Sequence, residues 1–163
     1  VFEIASDARV LNQLANHPDV LPFIGPSLDE VAFDARFTAE WITRTKFFHN
    51  VEETVGMLFD WTMPGAWELH MLATPEARGG DALEFAIEII AHMFASGVET
   101  IWGQTPIWNE RARKMHSKVG GISRGFGTHP AMGEVEIFAT RHDEWEPRRP
   151  KYEQMKNNSS EVA

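Results

Sequence analysis

Between Ala82 and Ser96 the apolar side chains Leu83, Ala86, Ile87, Ile90, Met93 and Phe94 recur at helical spacing, and Gly97 is placed to end the run. A helix with one apolar stripe must bury it against another layer. The flanking sequence supplies that layer. Three β-rich segments precede it, roughly Phe37 to Phe48, Thr54 to Thr62 and Ala66 to Ala73, with Asn50 and Pro64-Gly65 suited to turns. A strand from Val98 to Gln104 follows, so the pattern is α/β (α+β), a helix laid on a mixed sheet.

The remaining elements fit the same plan. A strand over Val1 to Ala5 leads to Ser6 or Asp7 as N-cap of a helix with Val10, Leu11, Leu14 and Ala15 inward, closed by Pro18. Leu21-Pro22-Phe23-Ile24-Gly25-Pro26 leaves room for a second short helical segment. Asn109 is a good N-cap for a helix whose Ala112, Met115, His116 and Val119 share one face, and Gly120-Gly121 ends it. Ile122 to Thr128 and Glu134 to Arg141 then form a hairpin around Pro130 and Gly133. From Glu146 the chain turns polar and proline-punctuated, so the reading is one domain over 1–145 and a flexible tail over 146–163.

Composition narrows the chemistry. The 163 residues fit one core, and 43% hydrophobic residues suffice to pack it. With no cysteine there is no disulfide, thiolate metal site or cysteine nucleophile, and a reducing cytoplasm is the simplest compartment. No run approaches the ~18 apolar residues of a membrane span, and the start lacks the pattern of a signal peptide. A net charge of -9 disfavours broad nucleic-acid binding, which rests on lysine and arginine. The seven histidines show no metal-ligand spacing, so no metal is expected.

The chemically informative stretch is Pro75-Glu76-Ala77-Arg78-Gly79-Gly80, which joins a strand to the long helix. Free backbone N–H groups and the helix dipole make such a turn an anion site, with Arg78 as an added cation; a plain connection using glycine geometry is the other reading. The next unit repeats the logic: a strand ending at Gln104-Thr105-Pro106, then Asn109-Glu110-Arg111-Ala112, then a helix stopping at Val119-Gly120-Gly121.

In this order of elements the chain resembles the GNAT family of acetyl-CoA-dependent N-acetyltransferases. The resemblance is clearest over Trp67 to Arg124, and it looks closest to GNAT-like proteins of tailed bacteriophages, with Glu68-Leu69-His70 before the turn and Thr105-Pro106 before the asparagine helix. It implies a mixed, mostly antiparallel central sheet flanked by helices. It also implies that Leu69 to Ala73, with Leu72 and Ala73 closest, offer strand backbone to the pantetheine arm. Arg78, Gly79, Gly80, Asp81 and Ala82 would line the pyrophosphate, with Asn109 near the sulfur end and Arg111 in reach of a phosphate. The chemistry implied is direct attack of an amine on the thioester, the acceptor being a small-molecule or protein amine.

Three residues are catalytic candidates. Glu68 and His70 alternate onto one sheet face, where either could take a proton, although strand carboxylates often simply face solvent. His116 stands where many GNAT relatives carry a tyrosine acid, and it also fits a packed ring beside Met115 and Val119. The lone tyrosine, Tyr152, falls in the expected tail. Two departures from the family pattern, Asp81 and Leu83 in the cofactor turn, favour an alternative: a noncatalytic component of a phage virion, or a host-interaction protein, with other virion proteins as partners. Arg113, Lys114 and Lys118 read as a solvated face, and Trp108 could wall an acceptor pocket. Acceptor choice would lie in Leu21 to Asp34 and in the last hairpin.

Overall fold

In a computed structural model of the chain, residues 1–24, 30 and 44–160 are described. The first half runs β1 (Phe2–Ile4), α1 (Arg9–Ala15), α2 (Leu21–Ile24), β2 (Thr45–Asn50), β3 (Val55–Met63), β4 (Ala66–Ala73) and α3 (Gly80–Ala95). The second half runs β5 (Thr100–Pro106), α4 (Glu110–Lys118), β6 (Ile122–His129), β7 (Gly133–Arg141), α5 (His142–Trp145) and α6 (Arg149–Ser160). The expected strand from Phe37 is described only from Thr45 onward; positions 37–43, like 25–29 and 31–34 of the expected acceptor segment, lie outside the described residues.

The seven strands form one sheet in the order β1-β2-β3-β4-β5-β7-β6. Every neighbouring pair is antiparallel except β4 with β5. Helix α3 covers one face, burying Ala82, Leu83, Phe85, Ala86, Ile87, Ile89, Ile90, Met93 and Phe94 with Phe48, Met57, Phe59, Trp67 and Leu69 of the strands. Each large side chain so buried contributes about 1.5–3 kcal/mol, so packing rather than intrinsic propensity holds this helix. The opposite face carries a smaller cluster in which Val10, Leu11 and Leu14 of α1 meet Phe47, Leu58 and Leu72.

Local details follow the residue chemistry. Gly97 takes φ +91° and its N–H donates to the Phe94 carbonyl, closing α3 as expected. At α1 the N-cap is Ala8, and Asp7 accepts from the Arg9 N–H at 2.8 Å from one position further out. Between β2 and β3, the Asn50 side chain accepts from the N–H groups of Thr54 and Val55. Gly56 is compulsory in β3, because a Cβ there would stand 2.6 Å from the Phe47 ring.

Where the sequence suggests a flexible tail from Glu146, the described residues to Ser160 are helical. Trp145 is buried and donates from its indole N–H to the Val119 carbonyl at 3.2 Å. Arg149–Ser160 is helical, and Tyr152 lies in the α3 core, stacked on Trp145 at 5.8 Å. Tyr152, with Met155 packed beside the same core, docks this mostly polar helix, since an aromatic ring alone buries about 150–250 Å². Gly120 makes room for this anchor, since a Cβ there would lie 2.8 Å from Trp145 and 2.9 Å from the Tyr152 hydroxyl.

Candidate active site

The two parallel strands at the centre of the sheet stay paired only briefly. Ala66, Trp67 and Glu68 face Thr100, Ile101 and Trp102, and no register pairs β4 with β5 beyond them. The Thr74 N–H bonds the Thr54 carbonyl, so in the antiparallel ladder Leu72, His70 and Glu68 also turn their backbone groups toward β3. Leu69, Met71 and Ala73 therefore turn theirs toward β5, into the split. At its base, an ideal Cβ on Gly103 would stand 3.0 Å from the Leu69 carbonyl oxygen and 3.0 Å from His116 Cε1. Strand backbone and the His116 imidazole thus converge on one point.

This geometry redistributes the expected cofactor residues. Leu72 pairs with Gly56 and packs beneath α1, away from the split. Ala73 has its carbonyl in the right place, but that oxygen already accepts from Arg78 Nε at 3.3 Å. The Arg78 guanidinium also bonds the Asp19 carbonyl and lies over the Phe23 ring at 5.8 Å. Its side chain is thus a tie between the turn and the segment around α2. Gly79 has φ +107° and, among the described residues, a Cβ there would meet nothing within 4 Å and no side chain caps α3, so its first-turn N–H groups have no side-chain partner there. Asp81 is exposed, whereas Ala82 and Leu83 are core residues. Leu83 therefore does not face the turn, and Asp81 is the departure from the family pattern that matters.

On the α1 side of the sheet, β3 and β4 bring Asp60 directly opposite Glu68. Asp60 Oδ1 accepts from the Thr45 hydroxyl at 2.8 Å, and Oδ2 lies 3.5 Å from His70 Nε2. Burial opposes the charge on Asp60, but hydrogen bonds from His70 and Thr45 outweigh it and hold the carboxyl below its usual value. Glu68 accepts from the Gln104 amide at 3.1 Å, across the split from β5. Glu68 and His70 do share a face, as alternation required. The sequence reading missed the roles of Asp60, which sits in no motif, and of Gln104, read only as a strand end; the register of β3 and β5 against β4 brings them in.

On the other side of the split, His116 of α4 stacks on Phe138 with rings 4.9 Å apart and 4° from parallel. Burial, then the charge of His70, push its pKa down to about 4, with Glu136 pulling weakly the other way. Asn109 caps α4, its side chain accepting from the Ala112 N–H at 3.2 Å. Arg111 is exposed at the same end. Arg113 does not belong to a solvated face: its Nε donates to the buried Glu136 at 2.6 Å. A hydrogen bond from Ser123 and the pairing with Arg113 outweigh burial and keep Glu136 below the ordinary carboxylate range. Trp108 is half exposed and meets Phe23 at 5.9 Å, closing an aromatic contact over the ends of β4 and β5.

No protein-family model matches the chain, and no curated relative does either. Solved structures do. The chain is similar to AAC(6')-Ib in complex with paromomycin and acetyl-CoA, with a TM-score of 0.73 and 16% identity over 90% of this chain and 95% of that one. It is similar to the ribosomal-protein-S5-alanine acetyltransferase of Vibrio fischeri, with a TM-score of 0.67 and 15% identity over 88% and 94%. Spermidine N-acetyltransferase of Vibrio cholerae, in complex with CoA and spermine, matches with a TM-score of 0.67 and 11% identity over 88% and 97%. The chain thus has the GNAT fold, a mixed, mostly antiparallel sheet flanked by helices, as the sequence resemblance implied.

Proposed function

We propose that this protein is an N-acetyltransferase that moves an acetyl group from acetyl-CoA to a small molecule carrying several amines. The observation that carries the reading is the split itself, with the backbone of Leu69 and Met71 turned into it, His70 on one side and His116 on the other. Acetyl-CoA, when bound, supplies an activated acyl group and a thiol leaving group. The turn at Gly79-Gly80 with the start of α3 is the place for its phosphates, and the backbone edge of β4 for its arm; the open space above Gly79 fits such an anion. To Asn109 and Arg111, at the head of α4, we assign the far end of the same arm.

The roles of the side chains follow from their partners. Asp60 and Glu68, opposite one another, attract a protonated amine, since facing like charges repel unless a cation joins them. His70, oriented by Asp60, accepts the proton that the amine must lose before its lone pair can attack. His116 is neutral at physiological pH and retains an N–H for the departing sulfur. Support for a polyamine-like acceptor comes from these carboxylates and from the aminoglycoside and spermine complexes among the similar structures.

The test is calorimetric titration with CoA, followed by thiol release from acetyl-CoA in the presence of spermidine and kanamycin. With no cysteine in the chain, released CoA is the only thiol in the assay. Saturable CoA binding and amine-dependent release are expected, with release lost in His70→Ala. A folded sample that does not bind CoA overturns the reading. A second reading, a noncatalytic phage virion or host-interaction protein, is favoured by the engagement of Arg78 with Ala73 and Asp19. Its measurement is co-purification with particles at fixed stoichiometry. For the enzyme we propose the cytoplasm as compartment, the host's if the gene is a phage's.

A further inference from the structure

A small cavity lies beneath β5 and β7, closed by Ile90 of α3 and by His116 and Val119 of α4, with Phe138 and Thr140 on its sheet side. Three of its lining side chains carry polar atoms, and two of these are uncommitted. The Trp102 indole donates to the Thr62 hydroxyl at 3.1 Å. Thr140 is 3% exposed, and its hydroxyl has no hydrogen-bond partner among the described residues. His116, half-buried, is held by stacking on Phe138, and among the described residues neither ring nitrogen makes a hydrogen bond.

A buried hydroxyl without a partner costs about 1–3 kcal/mol, so native proteins satisfy such groups, commonly with an internal water. Phe138 and Thr140 are two apart on β7 and so project to the same face, which puts the hydroxyl beside the ring that stacks on Phe138. The cavity is of a size for about one water.

We propose that Thr140 is a positioning residue that acts on His116 through one bound water in this cavity. The water bridges the Thr140 hydroxyl to the imidazole and donates to Nδ1. Nδ1 is then the acceptor nitrogen, and the single proton of the neutral ring stays on Nε2, the nitrogen 3.6 Å from the Cβ position of Gly103 at the split. Without that bridge nothing distinguishes the two tautomers, and part of the population would present a lone pair to the split in place of a donor. The bridge is a feature of the resting protein; its use in acetyl transfer rests on the function proposed above.

The experiment reads the tautomer directly. In protein labelled with 15N-histidine and free of any ligand, two-bond 15N–1H correlation at pH 7.5 reports which nitrogen of His116 is protonated, with His116→Phe identifying the signals. The wild type should be the Nε2–H form, Thr140→Val should lose that preference, and Thr140→Ser should restore it. A folded Thr140→Val protein with unchanged nitrogen shifts overturns the proposal. Should Thr140→Val not fold, a crystal structure of the wild type at about 1.5 Å decides: density for a water between the two side chains supports the bridge, and a cavity without it refutes the bridge. Loss of CoA binding in the wild type would sink the enzyme reading and leave this result standing. If both hold, Thr140→Val lowers kcat with KM for acetyl-CoA unchanged, and Thr140→Ser recovers it.

Discussion

Asp81 is the one side chain whose chemistry runs against the site around it. Its carboxylate is exposed in the first turn of α3, where a negative charge favours the helix and opposes a pyrophosphate. Asp81→Asn is therefore expected to tighten CoA binding by up to about tenfold, read by calorimetry, while costing about 0.3–1 kcal/mol of stability. His116 gives a second prediction. Its folded pKa of about 4 lies below the ordinary 6.5, so the unfolded chain takes up the proton first. The stability of the neutral half-buried ring is full above about pH 6.5 and falls by about 1.4 kcal/mol per unit as pH drops toward 4. Urea unfolding at pH 7 and pH 5 should show this loss in the wild type and not in His116→Phe. Were the slope the same in both, the ring would not be desolvated as described.

Among the elements, α6 carries the clearest stability prediction. Tyr152 is its anchor in the core, so Tyr152→Ala should cost about 3–5 kcal/mol, seen as a lower melting temperature, although the residue is far from the split. This element was also the least legible. Its sequence offers one aromatic and one methionine among charges, prolines and amides, too sparse a stripe for periodicity to register. By contrast Ala66–Ala73 has the bounds that alternation and Pro64-Gly65 predicted, and α3 was readable because nine of its sixteen residues are buried in a regular stripe. In the site, the motif-bearing turn and the Asn109 cap were legible, as local geometry follows local sequence. Asp60, Gln104 and Glu136 were not: each acquires its role from a partner on another strand or helix, a relation set by register. The Arg113–Glu136 pair tests this at element scale. Arg113→Met should loosen α4 from β7 and cost about 1–3 kcal/mol, with Glu136 left unpaired.

For the molecule as a whole, charge is the organising quantity. If the acceptor is the polyamine proposed above, a net charge of -9 with the half-buried Asp60 and Glu68 side by side draws it from a distance, and salt screens this attraction over about 8–10 Å. KM for a tri- or tetravalent polyamine should therefore rise several-fold between 50 mM and 300 mM salt, while KM for a monoamine stays flat. Equal salt dependence for both would argue that this carboxylate pair does not receive the acceptor.

The sheet also has a weak line. Among the described residues, the β4–β5 ladder joins its β1–β4 half to its β5–β7 half through three residue pairs, and α6 reaches back across to pack on α3. The short seam is thus reinforced by a clasp at the far end. A chain severed between Ser96 and Gly97 and produced as two pieces should reassemble, with the second piece holding the first through α6. Removal of 149–160 should abolish that reassembly.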